Sequence, residues 1–464
     1  MEKNSAALTI DLSTIRHVHC LGIGGIGLSA IARMMLAQGK IVSGTDVSES
    51  EITRSLAGLG VEISIGDSTS VPPEADLVVY TVAIPDTNPD LIAARERGVP
   101  VLTYPEMLSV VSRDKFTIAI AGTHGKTTTT AMVAQILIGA GLEPTVIVGS
   151  LLKGLDASDP NANTNCVIGT GKYFIVEACE YRRSFLNLHP RIAVITNVDA
   201  DHLDYYKNLE GVQAGFREFA ARIDGTLVCN PAAENLTEVI VGLSPERVAI
   251  ENYASIPAAN IPRLKIPGAH NIENAKAALA VARLLGVSDA SASKSLAAFR
   301  GTWRRFEFLG TTSRGVLVYD DYGHHPTEVR ATLAGARDMF PDKKIVVIFQ
   351  PHLYSRTKEH LEEFAHSFSQ VDEVIVAPIY AAREPLDPSI SSTMLAGRLV
   401  VAGVKAVAPA DMAAVHAAAA AAAHEATLSP GDVLMVMGAG DIRVVGHVLT
   451  HARAQAPIDA AVIQ

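Results

Sequence analysis

The chain has 464 residues, a length that predicts about three domains at roughly 100–200 residues per domain. Hydrophobic residues make up 48% of it and aromatic residues 5%, and together with 35 glycines this composition favours α/β domains and excludes a disordered chain. The formal net charge of −10 gives no general reason to bind nucleic acid or an anionic membrane, so we expect neither as a partner.

The N-terminus and the cysteines indicate the compartment. Residues 1–14 are polar and lack the apolar run of a signal peptide, and no apolar stretch is long enough to span a membrane. The four cysteines form neither a C-x-x-C pair nor a zinc-like spacing, which is typical of reduced thiols. We therefore expect a cytoplasmic protein. A monomer or a homodimer is the expected assembly, although nothing in the sequence decides between them.

The first unit alternates short apolar strands with helices. A strand begins at His17, a helix is predicted over residues 28–38, and strands follow at 40–43, 77–81 and 99–103, with a helix at 88–97. This βαβ alternation predicts a parallel sheet with helices on both faces.

A glycine-rich loop lies between the first strand and the first helix. Its glycines are Gly22, Gly24, Gly25 and Gly27, and Asp46 ends the following strand. Such a loop offers backbone amides to a diphosphate, and the acid can bind a ribose. The pattern does not name the nucleotide, because NAD, a UDP- or ADP-linked ligand and a purely structural turn all fit it.

A second unit begins after a polar joint at residues 112–115. An apolar strand at 116–121 runs into a loop formed by Gly122, Thr123, His124, Gly125, Lys126, Thr127 and Thr128, and a helix is predicted at 128–140. Strand, small-residue loop and helix in this order predict a phosphate-binding loop. Lys126 supplies positive charge to the β- and γ-phosphates, and the hydroxyl of Thr127 can ligate Mg²⁺. ATP and Mg²⁺ are therefore the expected cofactors.

Acidic residues and a histidine follow two further strands of this unit. Glu177 ends a strand at 173–177, and Asp199, Asp201, His202 and Asp204 come after a strand at 192–196. Carboxylates at the carboxyl ends of strands beside a phosphate loop can hold Mg²⁺, although an imidazole is an unusual ligand for this ion. The alternative for Glu177 is an ordinary surface salt bridge.

The third unit carries three polar clusters. Its strands are predicted at 316–319, 344–349, 373–377 and 432–437, the last of which runs into a glycine-rich turn at 438–441. The clusters are residues 304–307 (RRFE), 320–326 (DDYGHHP) and 350–357 (QPHLYSRT). Arginine suits bidentate contacts to phosphate or carboxylate, whereas the adjacent histidines alone would be read as a solvated or buried pair. The fold class is thus three consecutive α/β domains, with predicted bounds 1–112, 113–310 and 311–464.

Taken together, these motifs closely resemble the Mur ligase family, in the right order along nearly the whole chain. The residues that carry the resemblance are 22–27, 122–130, 177–180 with 184–186, 196–197 with 201–202, 270–271 with 274–275, 304–307, 320–326 and 350–357. The Gly-Thr-His-Gly-Lys-Thr loop marks the family, and residues 22–27, 320–326 and 350–357 point to its alanine-adding branch.

The resemblance implies a Rossmann-like N-terminal domain for a UDP sugar, a central P-loop ATPase-like domain and a Rossmann-like C-terminal domain for an amino acid. It implies that the substrates are UDP-N-acetylmuramate and L-alanine, joined at an early step of peptidoglycan synthesis. ATP would convert the muramoyl carboxylate to an acyl phosphate, which the alanine amine then attacks. The first glycine loop becomes a UDP site under this interpretation.

The resemblance also implies roles for single residues. The catalytic residues are Lys126, Glu177, His202 and Arg305, and the metal ligands are Thr127, Glu177 and His202. The residues that bind ATP are Gly122, Thr123, His124, Gly125, Lys126, Thr127, Thr128, Asn274, Arg305 and Asp321. The residues that bind the UDP sugar are Gly22, Gly24, Gly25, Gly27, Asp46, Thr81 and Asn88. The amino-acid site is assigned to His352 and Arg383.

Two positions depart from the wider family. Phe216 stands nearest to the place of a lysine that is carbamylated in other members, a lysine that the alanine branch also lacks. Tyr104 stands where many relatives have arginine, so an arginine contact to the UDP sugar does not carry over.

Three other functions remain in competition. A murein-peptide ligase of the same family would take a tripeptide in place of L-alanine, but His352 and Tyr354 match the alanine branch. An NAD-dependent oxidoreductase would leave Lys126, Glu177 and His202 without a role. A non-catalytic nucleotide-binding module would not need the full set of catalytic residues.

Overall fold

The computed structural model describes residues 10–66, 71–153, 163–382, 384–424 and 428–451. Parallel or mixed sheets flanked by helices account for these residues, which confirms the predicted α/β class. Three sheets are present, with five, seven and six strands. Within the described ranges, every helix is too short or too polar to cross a lipid bilayer.

The first sheet has the order β3-β2-β1-β4-β5, and all its strand pairs are parallel. Its strands are β1 His17–Leu21, β2 Ile41–Asp46, β3 Glu62–Ile65, β4 Leu77–Tyr80 and β5 Val101–Thr103. Its helices are α1 Ile26–Ala37, α2 Glu51–Gly58, α3 Pro89–Glu96 and α4 Tyr104–Ser112. The chain leaves the central strand β1 in one direction and returns beside it as β4 on the other. The carboxyl end of β1 is therefore a switch point, where open α/β sheets bind ligands.

Helix starts in this sheet follow from local capping. The side chains of Ser50 and Thr103 each accept a backbone amide of the next turn in a capping box, and Asn88 caps α3 ahead of Pro89. Each cap satisfies amide groups that the helix leaves unpaired. These caps fix where the chain turns from each strand end into the next helix.

The second sheet has the order β12-β11-β10-β6-β9-β7-β8, with β7 and β8 antiparallel and the other pairs parallel. Its strands are β6 Phe116–Ala121, β7 Thr145–Lys153, β8 Asn163–Val167, β9 Tyr173–Glu177, β10 Ile192–Ile195, β11 Gly225–Cys229 and β12 Val248–Asn252. Its helices are α5 Lys126–Gly139, α6 Leu203–Tyr206, α7 Leu209–Ala220, α8 Thr237–Ile240, α9 Ala269–Leu284 and α10 Asp289–Ala298, with short 3-10 turns at Tyr181–Asn187, Tyr253–Ser255 and Ala258–Asn260. Strand β6 is central and buried, so its carboxyl end lies between the ends of β9 and β10.

The third sheet has the order β13-β14-β18-β15-β16-β17, with only the edge strand β13 antiparallel to its neighbour among the described pairs. Its strands are β13 Glu307–Thr311, β14 Leu317–Asp321, β15 Ile345–Phe349, β16 Glu373–Val376, β17 Lys405–Val407 and β18 Val433–Met437. Its helices are α11 Pro326–Met339, α12 Tyr354–Glu359, α13 Leu361–Ser367, α14 Ser392–Val401, α15 Met412–His424 and α16 Arg443–His451. Apolar clusters cover both faces of this sheet.

The chain divides into two compact units. One comprises Met1–Leu264 with Ile272–Arg300 and contains the first two sheets, and the other comprises Lys265–Asn271 with Gly301–Gln464 and contains the third. Strand β13 crosses the predicted boundary after residue 310 and pairs with β14. The domain bounds proposed from the sequence stay predictions.

Candidate active site

The loop after β6 can be built only with glycine at two positions. Gly122 has φ +130° and Gly125 has φ +84°, a region that side chains other than glycine rarely adopt. A Cβ on Gly122 would lie 2.0 Å from Oγ1 of Thr196, and one on Gly125 would lie 2.5 Å from Oδ1 of Asn274. The loop therefore lies directly against these two side chains, and it brings Asn274 beside the predicted phosphate loop.

The segment after β10 holds the loop in place. The backbone amide of His124 donates to Oδ1 of Asn197 at 2.9 Å, and Nδ2 of Asn197 donates back to the carbonyl of His124 at 3.1 Å. The hydroxyl of Thr196 also donates to the carbonyl of His124, at 2.5 Å. Gly125 starts α5 and has no side chain to cap it, so the first amides of α5 keep their capacity to bind an anion.

The ammonium group of Lys126 is bound inside its own loop. Its Nζ donates to the carbonyls of Gly122 at 2.5 Å and Thr123 at 2.9 Å, and to the carboxylate of Glu180 at 2.9 Å. Burial disfavours the charged ammonium, but Glu180, Cys179 and Glu177 together outweigh it and raise the pKa of Lys126 above its ordinary value. Lys126 is therefore a cation at every physiological pH.

Glu180 was not predicted as a site residue. It follows β9, is 2% exposed, and its main-chain carbonyl accepts the hydroxyl of Tyr206 at 2.5 Å. Nε2 of His202 lies 3.7 Å from its Oε1, so His202 and Lys126 approach the same carboxylate. The structure thus joins two of the predicted catalytic residues through a third that sequence reasoning missed.

Glu177 takes a different partner. Its Oε2 accepts the backbone amide of Gly149 at 2.9 Å, and a Cβ on Gly149 would lie 2.7 Å from its Oε1. The hydroxyl-bearing Thr127 is buried at the start of α5. Glu177 therefore sits against β7, at the same carboxyl edge of the sheet as the phosphate loop.

The first glycine loop is braced by the residues predicted to surround it. The amide of Gly24 donates to Oδ2 of Asp46 at 2.8 Å, and a Cβ on Gly22, which has φ +80°, would lie 2.7 Å from Cγ2 of Thr81. The predicted sugar contact Asn88 uses its side-chain oxygen to cap α3. Gly25 lies at the start of α1, so the loop presents its backbone at the switch point of the first sheet.

The two departures from the family pattern have packing explanations. A Cβ on Gly27 would lie 2.7 Å from the ring of Tyr104, so this ring packs directly on the glycine loop. Phe216 is fully buried, and its ring lies 5.3 Å from the ring of Phe185. A charged side chain at position 216 would lie in the hydrophobic core.

Two of the predicted ATP contacts, Arg305 and Asp321, lie just before β13 and at the end of β14. Nη1 of Arg305 donates to Glu328 at 3.3 Å, and its guanidinium lies 5.4 Å from the ring centroid of Tyr322. Asp321 is 3% exposed and accepts the backbone amides of Phe306 and Gly323, each at 2.8 Å. Burial raises the pKa of Asp321 above its ordinary value.

Arg304, a buried arginine for which the sequence predicted no role, connects the end of β14 with the turn after β18. Arg304, with φ +57°, donates to the carbonyl of Gly440 at 2.9 Å and of Gly438 at 2.5 Å, and its Nε lies 3.1 Å from Asp320. Gln350 holds the same glycine turn by donating to Asp441 at 2.9 Å. The turn after β18 is thus fixed from two sides.

His352, the predicted amino-acid contact, belongs to an aromatic cluster. Its ring is stacked on that of Tyr380 at 5.8 Å and lies 5.7 Å from that of His324. Nη1 of Arg356 lies 3.4 Å from its Nδ1. Arg383, the second predicted contact, lies outside the described residues.

Three family models match the chain. Residues 17–116 match the catalytic domain of the Mur ligase family, residues 120–260 match the Mur ligase middle domain, and residues 304–440 match the glutamate ligase domain of Mur ligases.

Similar proteins span almost the whole chain. The UDP-N-acetylmuramate–L-alanine ligase of Agathobacter rectalis is 38% identical, covering 94% of this chain and 98% of the relative. The protein of the same name from Desulfosudis oleivorans is 40% identical, covering 93% and 97%. Among solved structures, the UDP-N-acetylmuramate–alanine ligase of Thermotoga maritima is 28% identical with a TM-score of 0.75, covering 95% of this chain and all of the neighbour (100%).

Proposed function

The chain belongs to the Mur ligase family, and from this premise we propose that it joins L-alanine to the carboxylate of UDP-N-acetylmuramate at the expense of ATP. Relatives that carry this activity in their names match it over at least 93% of its length. The single structural observation that carries the proposal is the glycine loop after β6, with Lys126 at the start of α5.

The first half of the reaction is phosphoryl transfer to a carboxylate. A carboxylate is a poor electrophile, so a muramoyl oxygen attacks the γ-phosphorus of ATP, the bond to ADP breaks, and an acyl phosphate forms. All reacting groups are anionic, so this step needs alignment and charge neutralisation more than covalent protein chemistry. The uncapped amides of α5 and the ammonium of Lys126 supply both.

Magnesium fits the chemistry of the residues at this edge of the second sheet. Thr127, Glu177 and His202 are proposed to hold it, two of them through oxygen atoms, which Mg²⁺ prefers. The buried carboxylate of Glu180, whose two oxygens each lie 2.9 Å from Nζ of Lys126, adds further negative character. Bound magnesium would neutralise phosphate charge and hold the oxygens in line.

The second half forms the amide. The alanine nitrogen attacks the acyl carbon, a tetrahedral intermediate forms, and its collapse expels inorganic phosphate while the amine loses a proton. We assign His352 to the alanine site, with its ring held by Tyr380. Arg305 and Asp321 are proposed to bind ATP from the third sheet.

We place the reaction in the cytoplasm, where ATP and nucleotide-linked sugars are available, and keep a monomer or a homodimer as the expected assembly. This is the setting that an early step of peptidoglycan synthesis requires. Neither nucleic acid nor membrane is proposed as a partner, because the net charge of −10 offers no general attraction to either.

The deciding experiment measures phosphate release from ATP and Mg²⁺ with UDP-N-acetylmuramate, with and without L-alanine, and then with glycine, L-serine or a tripeptide. We expect release only when both UDP-N-acetylmuramate and L-alanine are present. Release supported only by the tripeptide would instead assign the chain to murein-peptide recycling. Absence of release with every acceptor would favour a nucleotide-binding module.

A further inference from the structure

All the hydrogen-bonding capacity of Lys126 is used within the protein. An ammonium group has three donors, and here they go to the carbonyls of Gly122 and Thr123 and to the carboxylate of Glu180. To bind a phosphate oxygen, Lys126 has to give up at least one of these partners. Glu180 is the only charged one of the three, so the structure shows Lys126 in a resting position against a counter-ion.

The release of Lys126 leaves Glu180 in an unfavourable position. Its side chain is 2% exposed, so water cannot solvate the carboxylate, and an unpaired buried charge is costly. Both of its oxygens lie 2.9 Å from Nζ of Lys126, so the departure of Lys126 removes the ion pair from the whole carboxylate. Nε2 of His202 also approaches this carboxylate and lies 3.7 Å from Oε1.

The backbone of Glu180 is held in place by hydrogen bonds to its carbonyl. The hydroxyl of Tyr206 and the amide of Arg183 both donate to its main-chain carbonyl, at 2.5 and 2.8 Å. Its neighbour Glu177 is engaged with the amide of Gly149. The backbone of Glu180 is therefore held at this edge of the sheet, and its buried carboxylate needs a new partner close by once Lys126 leaves.

We propose that Glu180 is the resting counter-ion of Lys126, and that Lys126 is released to the nucleotide only when a divalent cation arrives to neutralise Glu180. This proposal rests on the ATP site proposed above. Glu180 is then a positioning residue: it sets where Lys126 waits and makes nucleotide binding depend on the metal. The two binding events are linked through one buried carboxylate.

The test is the affinity for ATP, measured by titration calorimetry in the absence of the other substrates, with excess EDTA and then with Mg²⁺. We expect Glu180→Gln to tighten the binding of metal-free ATP by about fivefold or more, while the affinity for magnesium-ATP changes by less than about twofold. Glu218→Gln is the matched control, because Glu218 is an exposed carboxylate that pairs with Arg183, three residues after Glu180. It should leave the ratio of the two dissociation constants unchanged.

A second readout needs no ligand. In a thermal-melting cycle, Lys126→Met and Glu180→Gln should each lower the melting temperature, and the double variant should lose clearly less than the sum of the two shifts. An unchanged metal dependence in Glu180→Gln, an equal change in Glu218→Gln, or additive melting shifts would each overturn the proposal. None of these results depends on amide formation, so a failure of the ligase assignment would be seen separately in the phosphate-release assay.

Discussion

At the scale of single residues, Lys126 is the group on which phosphoryl transfer depends most. We expect Lys126→Ala to lower kcat by at least about 10²-fold, because a preorganised positive charge at the transferred phosphate is lost. Binding of UDP-N-acetylmuramate should stay nearly intact, since its proposed loop follows β1 in another sheet. Steady-state kinetics and equilibrium binding of the UDP sugar measure the two effects.

Lys172→Ala is the control for this change, because Lys172 is an exposed lysine of the same unit that lies over the ring of Tyr173. It should leave kcat unchanged. If Lys126→Ala weakened UDP-sugar binding as much as turnover, the assignment of the two loops to two ligands would be wrong.

Asp320 gives a pH-dependent contribution to stability. It is fully buried, and burial raises its pKa to about 6, although Arg304 and Arg443 act in the opposite direction. Since this value lies above that of an unfolded aspartate, protonation favours the folded state. The contribution is complete below about pH 4 and is lost as the pH rises through about 6.

Asp320→Asn cannot ionise, so its free energy of unfolding relative to the parent should rise by about 1–3 kcal/mol between pH 4 and pH 7. Trp303, the single tryptophan, lies 4.9 Å from the guanidinium of Arg443, which itself approaches Asp320, so its fluorescence in urea reports this region. Asp289→Asn should show no such rise, because a hydrogen bond from Arg283 lowers the pKa of Asp289 and its contribution is lost only as the pH falls below about 4. A difference between Asp320→Asn and parent that does not change with pH would contradict the argument.

At the scale of elements, the phosphate loop requires glycine for two separate reasons. Gly122→Ala would combine a strained φ with a collision against Thr196, whereas Gly141→Ala, after α5, would carry the strain at φ +73° but meet no atom within 4 Å. We expect Gly122→Ala to abolish ATP binding and Gly141→Ala to keep it, at a stability cost of about 1–2 kcal/mol from strain alone. Calorimetric ATP titration and thermal melting distinguish the two, and parental ATP affinity in Gly122→Ala would exclude the proposed loop.

The elements also show what sequence alone could predict. The strand at Phe116–Ala121 and the loop after it were predicted because apolar runs and glycine spacings are local signals, although α5 begins two residues earlier than predicted. The residues that form hydrogen bonds with this loop were not predicted. The contact of Lys126 with Glu180 joins residues 54 apart, and that of His124 with Asn197 joins residues 73 apart. Only the sheet order, which places β6 between β9 and β10, brings them together.

For some site residues that were not predicted, the position in the sequence is informative once the structure is known. Glu180 and Asn197 both lie within a few residues of a strand's carboxyl end, where ligands bind in open α/β sheets. Tyr380 carried no such signal, because a stacked ring depends on tertiary packing. Arg304 lay in the predicted polar cluster 304–307, but its burial and its contacts with the turn after β18 were not predicted. The edge strand β13 was also missed, since its five residues are too short and too polar to give a clear pattern.

At the scale of the whole molecule, the chain places two glycine loops at the switch points of two separate sheets. One follows β1 and is braced by Asp46, and the other follows β6 and is braced by Asn197. The two sheets share one apolar core, but the two loops have different bracing partners, so a change in one loop leaves the hydrogen bonds of the other in place. Binding of the UDP sugar and of ATP should therefore be separable by mutation.

Asp46→Ala tests this separation. The carboxylate of Asp46 receives the amide of Gly24, and losing a hydrogen bond to a charged group costs enough to raise the KM for UDP-N-acetylmuramate by about tenfold or more. The KM for ATP should change by less than about twofold, because Lys126 and its partners are untouched. Asp76→Ala is the matched control: Asp76 accepts the amides of Arg16 and His17 at the opposite end of β1, so it shares the sheet but not the loop. Equal rises in both KM values for Asp46→Ala would mean that Asp46 supports the fold and not one ligand, and a rise confined to the UDP sugar would locate that substrate at the first loop.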